Sequence, residues 1–287
     1  MSQATMKVQP KTKDQQTGAH AALTARRIVA YVVLILLCAL CLFFFYVLII
    51  NATRPHADIQ KGFSFLPGSW TSLCNNFTQV INNANIPIMS GMRNSLIVSA
   101  MTAIFACYFS ALTAFGIHAY RFKGRTLALT FILLIMTMPT QVSALGFVQL
   151  MGKMNLKDSL LPLFLPSIAS PAVFYFMYQY MQASLPLEVI EAARIDGSSE
   201  FGTFNRIVLP MIKPALAVQA IFTFVGAWNN YFTPALILNS ANKKTLPILI
   251  AQLRSADFLK FDMGQVYMMI APVSYTHLRA HETRHDL

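Results

Sequence analysis

Five stretches of this chain contain no aspartate, glutamate, lysine or arginine: residues 28–50, 94–120, 126–152, 159–187 and 214–242. Each exceeds the ~20 residues that carry a helix across ~30 Å of hydrocarbon at ~1.5 Å per residue. A backbone in lipid must satisfy its own hydrogen bonds, which leaves helices or closed barrels, and these runs lack the apolar-out, polar-in alternation of barrel strands. The expected fold is therefore all-α, a polytopic membrane helix bundle. Composition agrees: 11% of the 287 residues are charged, against about 25% in a soluble domain, which argues against a water-soluble enzyme.

The formal net charge is +11, yet the basic residues sit in loops between apolar spans rather than in one patch interleaved with aromatics, so no nucleic-acid partner is expected. They read as topogenic charge instead. Lys7, Lys11, Lys13, Arg26 and Arg27 precede the first span and place the N-terminus in the cytoplasm. Alternate counting puts Arg121, Lys123 and Arg125 on the same side, together with Arg194, Arg206 and Lys213. Arg54, Lys61, Lys153, Lys157, Lys243, Lys244, Arg254 and Lys260 fall on the other side, the last four weakening the bias.

In this organisation residues 1–27 form a polar, flexible cytoplasmic tail and 28–50 a retained transmembrane anchor. Residues 51–93 form an extracytoplasmic loop with turn residues such as Pro55, Pro67, Gly68 and Pro87, and one or two helices near the membrane surface. From 94 to 272 the spans follow closely enough to make one bundle in contact with membrane lipid. Its prolines, Pro139, Pro162, Pro166, Pro171 and Pro234, read equally as helix breaks or as ordinary kinks. Cys38, Cys41 and Cys107 lie in apolar spans and read as packing residues rather than metal ligands or a redox pair. No Walker A pattern occurs; Lys123-Gly124-Arg125-Thr126 lacks its first glycine and its lysine placement. Any nucleotide site then belongs to another chain, and no cofactor or metal is assigned. Paired carboxylates within a span, which a proton-coupled carrier would need, are also missing from the sequence.

The most specific segment runs from Glu188 to Pro210. Pro186 starts a short helix, Glu188 and Glu191 favour its positive end, and Gly197 is placed to end it in a left-handed conformation. Ser198 or Ser199 can cap a second short helix with Glu200 in its first turn, and Pro210 and Pro214 set the entry into the fifth span. On residues alone, a plain amphipathic connector fits as well as a docking element.

Glu191-Ala192-Ala193, then Gly197, then Ile207, Leu209 and Pro210 stand at the spacing E-A-A, three residues, G, nine residues, I-x-L-P. In this the chain resembles the permease subunits of bacterial ABC importers. Ser184-Leu185-Pro186, Ala193-Arg194-Ile195-Asp196-Gly197 and Phe224 followed by Trp228-Asn229-Asn230-Tyr231 resemble the carbohydrate-uptake branch, the maltose-type second permease. The resemblance covers residues 94–271 and implies six spans, with the cytoplasmic coupling loop at 184–213. It further implies a cytoplasmic ABC ATPase dimer, a second permease subunit, an extracytoplasmic solute-binding protein and a sugar cargo. Glu191 would supply charge to the ATPase, Ala192 and Ala193 close approach, and Gly197 the turn, with Asp196, Ile207, Leu209 and Pro210 completing the coupling set. Another polar solute, such as a polyol or glycerol phosphate, is the alternative cargo; a channel or membrane scaffold would need no such motif.

Sugars are held by aromatic faces and polar groups in an apolar cavity, which makes Gln141, Trp228, Asn229, Asn230 and Tyr231 candidates for the substrate pathway. A membrane-interface belt and interhelical hydrogen bonds explain the same residues equally well. The pattern at 263–272 resembles the start of the family's last span and then stops, so the sixth span is expected to be cut off. Residues 273–287, with His277, His281 and His285 at helical spacing, read as a non-native tail rather than a metal site.

Overall fold

The computed structural model describes residues 13–82, 86–255 and 262–270. Helix follows helix in the order α1 (Lys13–Ala52), α2 (His56–Gln60), α3 (Trp70–Ile81), α4 (Ile88–Ala119), α5 (Arg125–Met136), α6 (Thr140–Lys153), α7 (Leu161–Phe164) and α8 (Pro171–Ser184). After these come α9 (Leu187–Ile195), α10 (Glu200–Thr203), α11 (Leu209–Met211), α12 (Lys213–Trp228), α13 (Phe232–Ile237) and α14 (Leu246–Ser255), with a last helical segment at 263–270. Among the described residues there is no strand, and the fold is the expected helical bundle.

The first helix departs from the expected flexible tail, because α1 already begins at Lys13. The loop after it, where one or two helices are expected, contains α2 and α3. The five uncharged stretches do not become five continuous spans. Among the described residues, three helices are long and apolar enough to cross a membrane, Arg26–Ala52, Ile88–Ala119 and Leu161–Ser184, the last interrupted by a tight turn of 3-10 helix at Leu165–Ala169. A fourth is a pair, Glu200–Met211 and Lys213–Trp228, bent by 81°. The stretch 126–152 is split at Pro139, whose extended backbone (φ −65°, ψ 126°) precedes α6, leaving α5 with 12 residues. Such a helix reaches only about 18 Å. The stretch 214–242 breaks at Asn229 and Asn230, where the Oδ1 of Asn230 accepts the Thr233 N–H at 3.4 Å and competes with helix continuation. The expected cut in the sixth span and the tail at 273–287 lie outside the described residues.

Helix α4 is the hub. Gly91, Ser95, Ser99, Ala103, Cys107 and Ala111 recur at every fourth position and are all buried. Small side chains on one ridge let neighbouring backbones come close, the dominant attraction between helices where lipid is as apolar as leucine. Helices α8 and α12 pack along α4 and close a core of Ala111, Ala114, Phe115, Phe174, Met177 and Met181. Cys107 belongs to that core, whereas Cys38 and Cys41 are exposed along α1 and do not pack.

The α4–α5 turn and the motif segment lie beside one another, with Arg121, Arg125, Glu191 and Arg194 lining a shared groove. At the end away from the motif, Asp158 ties the α6–α7 connection to the segment after α13: its carboxylate accepts from the N–H groups of Asn239 and Ser240, each at 2.9 Å, and from Ser240 Oγ at 2.6 Å. Ser240's hydroxyl first, then these backbone donors, hold the Asp158 carboxyl well below the usual carboxylate range. Asn94 Nδ2 donates to the carbonyls of Asn242 and Lys244 at 2.8 and 3.1 Å, and Asn76 Nδ2 to those of Ala52 and Arg54 at 2.9 and 3.1 Å.

Candidate functional site

The motif segment is built as one rigid bracket. Pro186 sits at the cap of α9 in extended conformation (φ −66°, ψ 136°), so the helix starts at Leu187 with Glu188 in its first turn. It ends as the glycine foretold: Gly197 has φ +78°, its N–H donates to the Arg194 carbonyl at 3.0 Å, and the Ser198 N–H reaches the Ala193 carbonyl at 3.0 Å. Of the two serines, Ser199 is the cap, its hydroxyl accepting from the Gly202 N–H at 3.2 Å, while Ser198 Oγ pairs with Thr203 Oγ1 at 3.0 Å. Arg194 spans the turn to Glu200 with Nε to Oε1 at 2.7 Å and a terminal nitrogen to Oε2 at 3.2 Å, and its guanidinium lies 5.0 Å from the Tyr120 ring centroid.

From α10 the chain passes through a widened turn, Phe204–Val208, in which the Leu209 N–H bonds back to the Phe204 carbonyl. Pro210 follows directly and supplies no N–H of its own; a turn with five-residue spacing accommodates its ring where a regular helix would clash. The chain then bends by 81° at Ile212 into α12. Phe204 is fully buried, its ring 5.7 Å from Tyr108 and 5.6 Å from Phe115, and Tyr108 Oη donates to Asn205 Oδ1 at 3.1 Å. The bracket is thereby pinned to α4.

The predicted coupling residues are brought into this bracket but not onto one surface. Ala192, Asp196 and Gly197 are exposed, Ile207 and Leu209 are half-buried, and Pro210 is exposed. Of the alanine pair, Ala193 is buried at 5% exposure against the chain's own core, while Ala192 is exposed on the outer side of α9. Glu191 is exposed but lines a groove against the α4–α5 turn rather than sharing the face of Ala192. Two residues that motif reading passed over stand out on the free surface, Ile195 at 86% exposure and Phe201 at 64%. Their signal in the sequence was an apolar side chain beside charged neighbours in an otherwise polar loop.

The candidate pathway residues divide. Trp228, Asn229 and Tyr231 line one cleft of about 280 Å³ with Leu246, Pro247, Ile250 and Ala251. Trp228 stacks on Phe224 at 5.9 Å. Asn230 is not among the lining groups and serves the start of α13, and the side chain of Gln141 lies outside the described residues.

Comparison with known proteins agrees with this geometry. The family described as binding-protein-dependent transport system inner membrane component matches residues 108–276. The arabinooligosaccharides transport system permease protein AraQ of Bacillus subtilis is 31% identical over 248 residues, covering 85% of this chain and 88% of that protein. The sn-glycerol-3-phosphate transport system permease protein UgpE of Pectobacterium atrosepticum is 32% identical over 221 residues, covering 76% and 78%. The crystal structure of a bacterial ABC transporter involved in the import of the acidic polysaccharide alginate superposes with a TM-score of 0.79 at 16% identity, over 97% of this chain and 99% of the other, and so shares the fold. The chain belongs to the family of inner membrane components of binding-protein-dependent transport systems, and is a multi-pass permease subunit of the ABC importer type.

Proposed function

We propose that this permease imports a sugar or oligosaccharide across the bacterial plasma membrane, driven by ATP hydrolysis on a separate cytoplasmic ATPase dimer that seats on residues 188–210. A second permease subunit and an extracytoplasmic solute-binding protein complete the transporter, and the N-terminus is cytoplasmic. The observation that carries the reading is the bracket itself: a helix with an outward face at Ala192 and Ile195, locked by the Arg194–Glu200 pair and continuous through the 81° bend with α12. A push on such an element moves a membrane helix. The arabinooligosaccharide relatives support the cargo. Glycerol phosphate or another polar solute is the second reading, favoured by the glycerol-3-phosphate relatives.

The test uses Gly197→Pro and Ala192→Trp. Proline holds φ near about −65° and cannot adopt the +78° of position 197; tryptophan at 192 blocks the approach. Both variants should insert at wild-type levels yet lose uptake, and Ala192→Trp should also lose the co-purifying ATPase. Uptake retained together with wild-type ATPase co-purification overturns the coupling role. Titrating the associated binding protein with arabinose oligosaccharides and with glycerol 3-phosphate separates the two cargoes.

A further inference from the structure

A groove of about 620 Å³ opens between the α4–α5 turn and helix α9, lined by His118, Tyr120, Arg121, Arg125, Gln182, Leu187, Glu191 and Arg194 among others. Its charges are unevenly matched. Arg194 is committed to Glu200. Arg125 donates to the Tyr178 hydroxyl at 3.2 Å, a neutral partner that leaves its charge uncompensated, and among the described residues no carboxylate lies within ion-pair distance of Arg121 or Arg125. A His118 ring nitrogen is taken up by the Leu185 carbonyl at 3.1 Å. Among the described residues Glu191 is the one acid lining the groove, so the lining as a whole is cationic.

Its depth is set by the chain around it. Tyr120, Arg121, Phe122, Lys123 and Arg125 alternate aromatic with basic side chains at the junction of two apolar helices, and Tyr120 and Phe122 are exposed. Immediately beyond, Leu127 at 75% and Phe131 at 62% exposure belong to a surface that only hydrocarbon or another apolar helix can cover. Aromatic rings and basic ends in this order mark the interfacial layer, where basic pockets at the ends of membrane helices receive lipid headgroups.

We propose that this groove binds the phosphate group of an anionic phospholipid, with Arg121 and Arg125 as the charge-bearing contacts and the acyl chains lying along α5. A free phosphate ion shares the chemistry of the headgroup but not the reason for its depth. The bound lipid would fill the space between α9 and the α4–α5 turn, bracing the motif helix from its inner side while Ala192 and Ile195 remain outward.

The test is native mass spectrometry of the full chain purified from membranes and equilibrated with phosphatidylglycerol or phosphatidylcholine vesicles, alongside Arg121→Gln/Arg125→Gln. Arg121→Gln alone keeps the Arg125–Tyr178 hydrogen bond and guards against misfolding. Phosphatidylglycerol should be retained over phosphatidylcholine, less by the single variant, and roughly 30-fold less by the double variant, given the contribution of each basic group near a headgroup. Millimolar inorganic phosphate should not displace it. Equal retention of both lipids, undiminished retention by the double variant, or binding of inorganic phosphate without phosphatidylglycerol overturns the proposal. Lipid retention is read without uptake or ATP hydrolysis, so the result stands apart from the transport reading.

Discussion

Arg194 reaches over the Gly197 turn to both carboxylate oxygens of Glu200, and the hydrogen bond to Arg194, followed by one to Tyr120, lowers the Glu200 carboxyl from its ordinary value of 4.5. A carboxylate whose folded value is depressed contributes stability that is complete above the unfolded value and is lost as pH falls through the folded one. With both side chains partly exposed, the pair is worth about 0.5–1 kcal/mol. Glu200→Gln should therefore speed amide exchange at residues 196–203 a few-fold at pH 7, and should abolish the extra loosening that wild type shows as pH drops below about 4.5; identical exchange profiles for the two proteins would refute the lock. The Gly197 turn and the serine cap were legible because they depend on neighbours within a few positions. The inward burial of Ala193 and the groove-side placement of Glu191 were not, since they depend on which face of α9 meets α4 and α8.

At the scale of elements, an uncharged run records that a segment tolerates lipid, but not that it is one helix. Thr137, Met138 and Pro139 split one run, and another breaks at Asn229 and Asn230, where Asn230 Oδ1 takes the Thr233 N–H, without a charge to announce either. The ridge of small residues on α4 follows a four-residue repeat that the count of uncharged runs passed over, and it marks the helix that the others surround. Close approach recurs at the last helical segment: a Cβ on Gly264 would stand 2.7 Å from the Arg54 carbonyl oxygen and 2.6 Å from Asn76 Nδ2. Gly264→Ala should cost about 1–3 kcal/mol through the backbone shift it forces, seen as a lower midpoint in thermal unfolding of the detergent-solubilised protein. Gly226→Ala, inside α12 with nothing within 4 Å of the new carbon, should not lower the midpoint and should raise it slightly, because alanine favours a helix interior over glycine. Equal midpoints for the two variants would show that the 263–270 segment does not press on the α1–α2 junction.

Across the whole molecule, the two ends differ in construction: one carries the motif bracket and the basic turn, the other the Asp158 and Asn94 ties. The orientation follows as a prediction. In a background with Cys38, Cys41, Cys74 and Cys107 replaced by alanine, a membrane-impermeant maleimide should label Lys61→Cys on intact cells and Ser198→Cys only after permeabilisation. The reverse pattern would invert the topology. Helix α1 lies mostly outside the bundle, with side chains such as Ile35 and Leu36 exposed, so lipid or a neighbouring subunit must cover it. The alanine pair of the motif has a mechanical consequence. Ala192 faces out and Ala193 faces in, so a partner resting on α9 is separated from the packed core by little more than the helix backbone, itself only about 5 Å across. Long side chains on either face would act as springs and absorb displacement as rotamer changes. A methyl group has no rotamers to give, so under the proposed seating of the ATPase the helix would pass movement on with little compliance, as a stiff shim.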